Sequence, residues 1–208
     1  MKLQKPNELP AETGSLILIY GETGVGKTTS CIQSLPEPIL FIKTERRNPK
    51  RWVQAADRPD VKIMFATYET YDDAKAFLED ESNWQKYESV VIDSLTYLMN
   101  TSLSFEIEDE DFNARKSDAS RTKVKKPLIE GTKMSMEGYG ALSGLMSRFM
   151  SPLGRMSEAG KIVVCTALLQ ENPKWNRDLE AAPAFKGREF PTNMPGWFDL
   201  IGVVEKKF

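Results

Sequence analysis

Residues Gly21-Glu22-Thr23-Gly24-Val25-Gly26-Lys27-Thr28 fit the pattern G-x-x-x-x-G-K-[ST] and follow the apolar run Leu16 to Tyr20. Glycines at this spacing let the backbone turn so that successive N–H groups point at phosphate oxygens, and a helix starting near Lys27 adds its partial positive charge. Lys27 is placed to reach the β- and γ-phosphates of a nucleoside triphosphate and the Thr28 hydroxyl to bind Mg²⁺, with Thr29 next in the loop. A second acid for the metal is offered by Ser89-Val90-Val91-Ile92-Asp93-Ser94, where Asp93 closes an apolar run. Serine follows it, so the group that activates water must come from elsewhere. Glu45, just past the run Ile39 to Lys43, is the candidate, because ligands in open α/β sheets sit outside the carboxyl ends of strands. A strand adjoining that of Asp93 would aim it into the same cleft. The alternative is a surface glutamate paired with Lys43, Arg46 or Arg47.

Composition narrows the chemistry further. None of the 208 residues is histidine, which removes imidazole acid–base catalysis, a Ser-His-Asp triad and His-ligated metals. Cys31 and Cys165 lie in apolar segments without CxxC spacing and read as buried free thiols in a reducing compartment. With 28 Lys and Arg against 30 Asp and Glu, nucleic-acid binding would need a local basic patch. No run approaches the ~20 apolar residues of a membrane span, and residues 1–14 hold no apolar leader, so a soluble, cytoplasmic protein is expected.

These residues require a scaffold that ends several strands at one edge. After a polar lead-in over 1–14, the chain alternates β-rich runs with helical stretches, the mark of a mostly parallel sheet covered by helices on both faces. Strands are expected at 16–20, 39–43, 62–66, 89–93, 161–169 and 199–206. Between 137 and 157, Leu142, Leu145, Met146, Phe149, Met150 and Leu153 share one helical face, and Gly138, Gly140 and Gly144 would allow close approach. Two stretches, 106–136 and 171–198, read as irregular and as DNA- or partner-binding loops. The first carries the acids Glu106, Glu108, Asp109, Glu110 and Asp111, then the cations Arg115, Lys116, Arg121, Lys123, Lys125, Lys126 and Lys133. The acids are expected to fold onto this basic segment when no DNA is bound. The second places Lys174 and Arg177 beside Trp175, the combination that binds single strands by phosphate pairing and base stacking.

The phosphate loop at 21–28, a strand followed by Glu45, the run VVIDSLTYL at 90–98 and a strand ending in Gln170 together resemble the ATPase core of RecA-type recombinases. The resemblance spans roughly 15–206 and is strongest to the small bacteriophage ATPases that accompany single-strand annealing proteins. It implies a three-layer α/β P-loop NTPase and a Mg²⁺-dependent ATPase acting in recombination or annealing in the host cytoplasm. It also implies that Gln170 senses the γ-phosphate, that both irregular stretches contact single-stranded DNA, and that a neighbouring subunit's cation, Lys186 or Arg188, completes the site in a homo-oligomer. An annealing protein or a single-strand-binding protein (SSB) is the implied partner. Arg51 and Trp52 stand where an adenine contact would be. Two other readings remain: a nucleotide-dependent switch that docks on a protein without touching DNA, and a small-molecule kinase.

Overall fold

The computed structural model describes residues 14–110 and 134–205; the lead-in and the basic segment holding Arg115, Lys116, Arg121, Lys123, Lys125 and Lys126 lie outside them. In chain order the strands are β1 (Ser15–Gly21), β2 (Ile39–Lys43), β3 (Ile63–Thr67), β4 (Ser89–Asp93), β5 (Ile162–Glu171), β6 (Ala181–Pro183) and β7 (Leu200–Val203). Six of them form a parallel sheet in the order β3-β2-β4-β5-β1-β7, and β6 pairs antiparallel with β5. β2 and β4 are buried along almost their whole length, as strands covered on both faces must be. This is the helix-covered parallel sheet that the alternation of runs predicts, with the phosphate loop directly after β1.

Helices α1 (Lys27–Ser34) and α2 (Lys50–Ala55) cover one face of the sheet, where Cys31, Ile32 and Ala56 pack on Ile39, Phe41 and Val91. On the other face lie α3 (Tyr71–Glu79), α4 (Leu95–Tyr97) and α5 (Met136–Glu158). Leu142, Met146, Phe149, Met150 and Leu153 of α5 are all buried there, at the spacing that their periodicity sets. Ser135 caps α5 by accepting the Gly138 N–H at 3.0 Å, and Thr70 caps α3 through the Asp73 N–H. Of the three small residues expected to admit a close neighbour, only Gly138 does so: a Cβ there would lie 2.7 Å from Met134, whereas Gly140 and Gly144 face open space. Both cysteines are buried free thiols, and burial pushes Cys31 up to about 12.

The irregular stretches need correction. α4 runs on into a π-helical segment, Leu98–Leu103, and then helical residues 104–110, so the acidic run opens on a helix. Glu106 does not await a basic partner. Its carboxylate accepts from the Tyr68 hydroxyl at 2.6 Å and from the Tyr71 N–H at 3.0 Å, which satisfies an otherwise orphan amide at the start of α3. The stretch 171–198 likewise holds β6, a short helix α6 (Glu189–Asn193) and a 3-10 turn, Met194–Trp197. Its middle is tied down by Asn100, whose amide donates to the Ala184 carbonyl and accepts from the Lys186 N–H. Phe185 and Phe190 lock edge to face beneath it.

Candidate functional site

The phosphate loop owes its shape to three glycines. Gly24 and Gly26 sit at φ 81° and 101°, where a side chain would be strained. At Gly21 a Cβ would come within 2.3 Å of the Val204 carbonyl oxygen. Because Gly26 is the N-cap of α1 and no side chain caps that helix, its first N–H groups are left for an anion. Lys27 is buried, and its Nζ donates to the Gly21 and Glu22 carbonyls at 2.9 and 2.8 Å. Burial lowers its pKa, while Asp93 and Glu45 oppose that shift.

Strand register brings the acids to the same place. β2 and β4 run side by side with Lys43 opposite Asp93, so Glu45 lies two residues beyond Asp93's level. The Thr44 N–H donates to the Asp93 carbonyl, and the Thr44 hydroxyl both donates to the Ser94 carbonyl and accepts from the Ser94 N–H. Thr44 thus fastens the end of β2 to the end of β4. The Asp93 carboxylate accepts from two hydroxyls, Thr28 at 2.8 Å and the fully buried Thr166 of β5. Glu45 is partly buried and held above the usual carboxylate range, first by loss of water; Arg47 opposes this and the nearby Asp93 adds to it.

A cleft of about 220 Å³ is lined by Thr23, Gly24, Gly26, Lys27, Thr28, Thr29, Glu45, Asp93 and Ser94, together with Arg47, Trp52 and Leu168. Glu45 is also the ion-paired residue of the alternative reading, since the Arg47 Nε lies 2.8 Å from its Oε2. Both readings therefore describe one side chain. Of the two adenine-side candidates, Trp52 lines the cleft and Arg51 does not; its ring is backed by Phe41 and Phe65 at 5.7 and 6.5 Å. Glu22 gives its carbonyl to Lys27 but lines a separate recess with Glu171, Glu180 and Glu205; Val25 lines that recess too.

Gln170 does not belong to the cleft. It shares a face of β5 with Thr166 and Leu168, but only Leu168 of the strand's end lines the cavity, and Gln170 pairs with Ala182 of β6. Lys186 and Arg188, which the resemblance assigns to a neighbouring subunit's site, do not line their own chain's cleft. Thr166 went unread in the sequence, although a threonine inside the apolar run KIVVCTALL is the signal that could have found it. Thr44 carried no such signal, and Arg47 only that of a cation close enough in sequence to pair with Glu45.

The oxygen set fits Mg²⁺: one hydroxyl and one carboxylate, 2.8 Å apart, leave room for phosphate and water, as a hard octahedral ion prefers. No group of three or more acidic, His or Cys side chains that could cage a metal occurs among the described residues.

The sequence profile of the AAA domain family matches residues 13–207, nearly the whole chain. The chain belongs to the AAA domain family. It is accordingly an ATPase. No curated protein matches the sequence. Among solved structures, the flagellar accessory protein FlaH from Methanocaldococcus jannaschii aligns over 92% of this chain and 71% of its own, at 14% identity and a TM-score of 0.42. Among the described residues of this ATPase, no helix is long and apolar enough to cross a membrane.

Proposed function

We propose that this ATPase hydrolyses ATP with Mg²⁺ by a water that Glu45 orients, and couples that cycle to single-stranded DNA in phage-type recombination or strand annealing. The observation that carries the first half is the convergence of Lys27, Thr28, Asp93 and Glu45 on one cleft at the carboxyl edge of the sheet. Lys27 and the amides that open α1 hold the phosphate tail. Trp52 offers an apolar face to the base. The metal, when bound by Thr28 and Asp93, neutralises charge on the transferring group. Glu45, short of water and set beside Asp93, is suited to take a proton from, or align, the attacking water. Thr166 holds the Asp93 carboxylate in place from the neighbouring strand.

The coupling to DNA rests on Lys174 and Arg177, both exposed on the connection that leaves β5. Trp175 between them is only partly exposed and its Nε1 is buried without a hydrogen-bond partner, so phosphate pairing rather than base stacking is the contact this segment favours. An annealing protein or SSB, a second copy of this chain and a cytoplasmic setting complete the reading. The test is phosphate release with and without single-stranded DNA, with Mg²⁺ present or chelated. Stimulation by DNA that vanishes on chelation supports the reading. Turnover indifferent to DNA, with no binding at low salt, sinks the DNA half.

A second reading has its own observation. Phe105 and Met136 are 57% and 87% exposed, close to either end of the basic segment, and Leu179 is 38% exposed. Apolar side chains of this kind suit a protein partner better than a phosphate backbone. An ATP-dependent complex that forms without DNA would favour that switch.

A further inference from the structure

Glu45 and Arg47 form an unequal pair. Glu45 is fastened just beyond β2 through Thr44 and is only 20% exposed, whereas Arg47 is 64% exposed. A tight turn joins them, the Arg47 N–H donating to the Glu45 carbonyl at 2.9 Å, and the side-chain contact is a single one through Nε. The terminal amino groups of Arg47 make no hydrogen bond with any described residue, yet Arg47 lines the same cleft as Lys27 and Thr28. Lys27 and Arg47 there balance Glu45 and Asp93. Magnesium-bound ATP brings further negative charge to this balanced set, close to the Glu45 carboxylate, and repulsion between them grows as water is displaced.

We propose that Arg47 exchanges partners: it neutralises Glu45 in the nucleotide-free cleft and passes its guanidinium to the terminal phosphate of ATP on binding, releasing the carboxylate to the attacking water. This rests on the reading of Glu45 given above. The exchange replaces a single ion-pair contact through Nε with the two-pronged contact for which a guanidinium and a phosphate are matched. It also removes the cation that competes for the carboxylate at the moment the carboxylate is needed. Arg47 therefore contacts the phosphate directly and acts on the water only by freeing Glu45.

Equilibrium binding of a non-hydrolysable ATP analogue and of ADP, each with Mg²⁺, tests this without turnover. Arg47→Ala is expected to weaken the ATP analogue by about tenfold or more, the range for a charged hydrogen bond, and ADP by less than about twofold. Arg47→Lys, which keeps the charge but not the fork, recovers part of the loss. Glu45→Ala removes the competing carboxylate and tightens the ATP analogue; in that background Arg47→Ala abolishes the gain. Equal losses for both nucleotides, unchanged affinity with only kcat reduced, or a Glu45→Ala gain that survives loss of Arg47 would each overturn the exchange. Undiminished hydrolysis by Glu45→Gln would instead refute the reading of Glu45 and leave the binding results standing, so the two can fail separately.

Discussion

The nucleotide cleft and the connection from Asn172 to Phe198 handle charge in opposite ways. In the cleft, Lys27 is met by two carbonyls, Asp93 by two hydroxyls and Glu45 by Arg47, each set by strand register or by the loop's own backbone. On the connection, Lys174 and Arg177 are exposed and form no ion pair with another described residue. The contrast separates two kinds of function. A reaction needs few groups in fixed geometry, and each is then sensitive to small changes; a surface that meets a polyanion needs charge density and tolerates the loss of any one cation.

The strongest way to break this contrast is Lys27→Ala, which removes the buried cation at the phosphate tail. It is expected to lower phosphate release by about 10³-fold, the upper range for one transition-state donor, with the circular dichroism spectrum unchanged. Glu45→Gln comes next: hydrolysis falls by at least about 10²-fold while the ATP analogue stays bound, as single-turnover and binding measurements together would show. Thr166→Val lies one layer out. Loss of one of the two hydroxyls on Asp93 is expected to reduce turnover about tenfold, as loss of an outer partner of a metal ligand does, and metal titration would show weaker Mg²⁺ binding.

A fourth experiment sharpens the electrostatic side. The acid limb of kcat/KM reports the free enzyme, in which Glu45 must be ionised to act. Since burial holds its pKa above the ordinary glutamate value of about 4.3, activity is lost on acidification at a higher pH than an exposed glutamate would give. Arg47 favours the ionised form, so Arg47→Ala moves that limb to still higher pH; a shift downward would contradict the assignment. The smallest effect is expected on the connection. Replacing Lys174 and Arg177 by alanine should leave DNA-free turnover unaltered and flatten the salt dependence of single-strand binding by roughly 1.4 in the log–log slope, two phosphates at about 0.7 each.

The legible parts of the molecule are those whose causes are local. Strands β2 and β4 occupy the predicted residues, and α5 extends the predicted 137–157 by one residue at each end, because a buried run and an apolar stripe announce themselves over short windows. The loop at 21–28 was equally plain, since only glycine accepts the backbone that Gly24 and Gly26 adopt. The acidic run is not legible without long-range information: Glu106 carries the same charge as its neighbours, and only the packing of helical residues 104–110 against α3 makes it a structural partner of Tyr68 and Tyr71. The prolines and sparse periodicity of 171–198 hid a strand of three residues, too short to leave a pattern.

The sequence by itself determined a phosphate-gripping loop, the strands and helices around it and a set of carboxylates without histidine to assist them. Only the tertiary structure decided that β5 lies between β1 and β4, that β2 runs beside β4, and hence that Thr166 reaches Asp93 and Glu45 stands over the cleft. The physical reason is range: backbone preference and hydrophobic period act over a few residues, whereas the choice of neighbouring strand is made by packing between segments tens of residues apart.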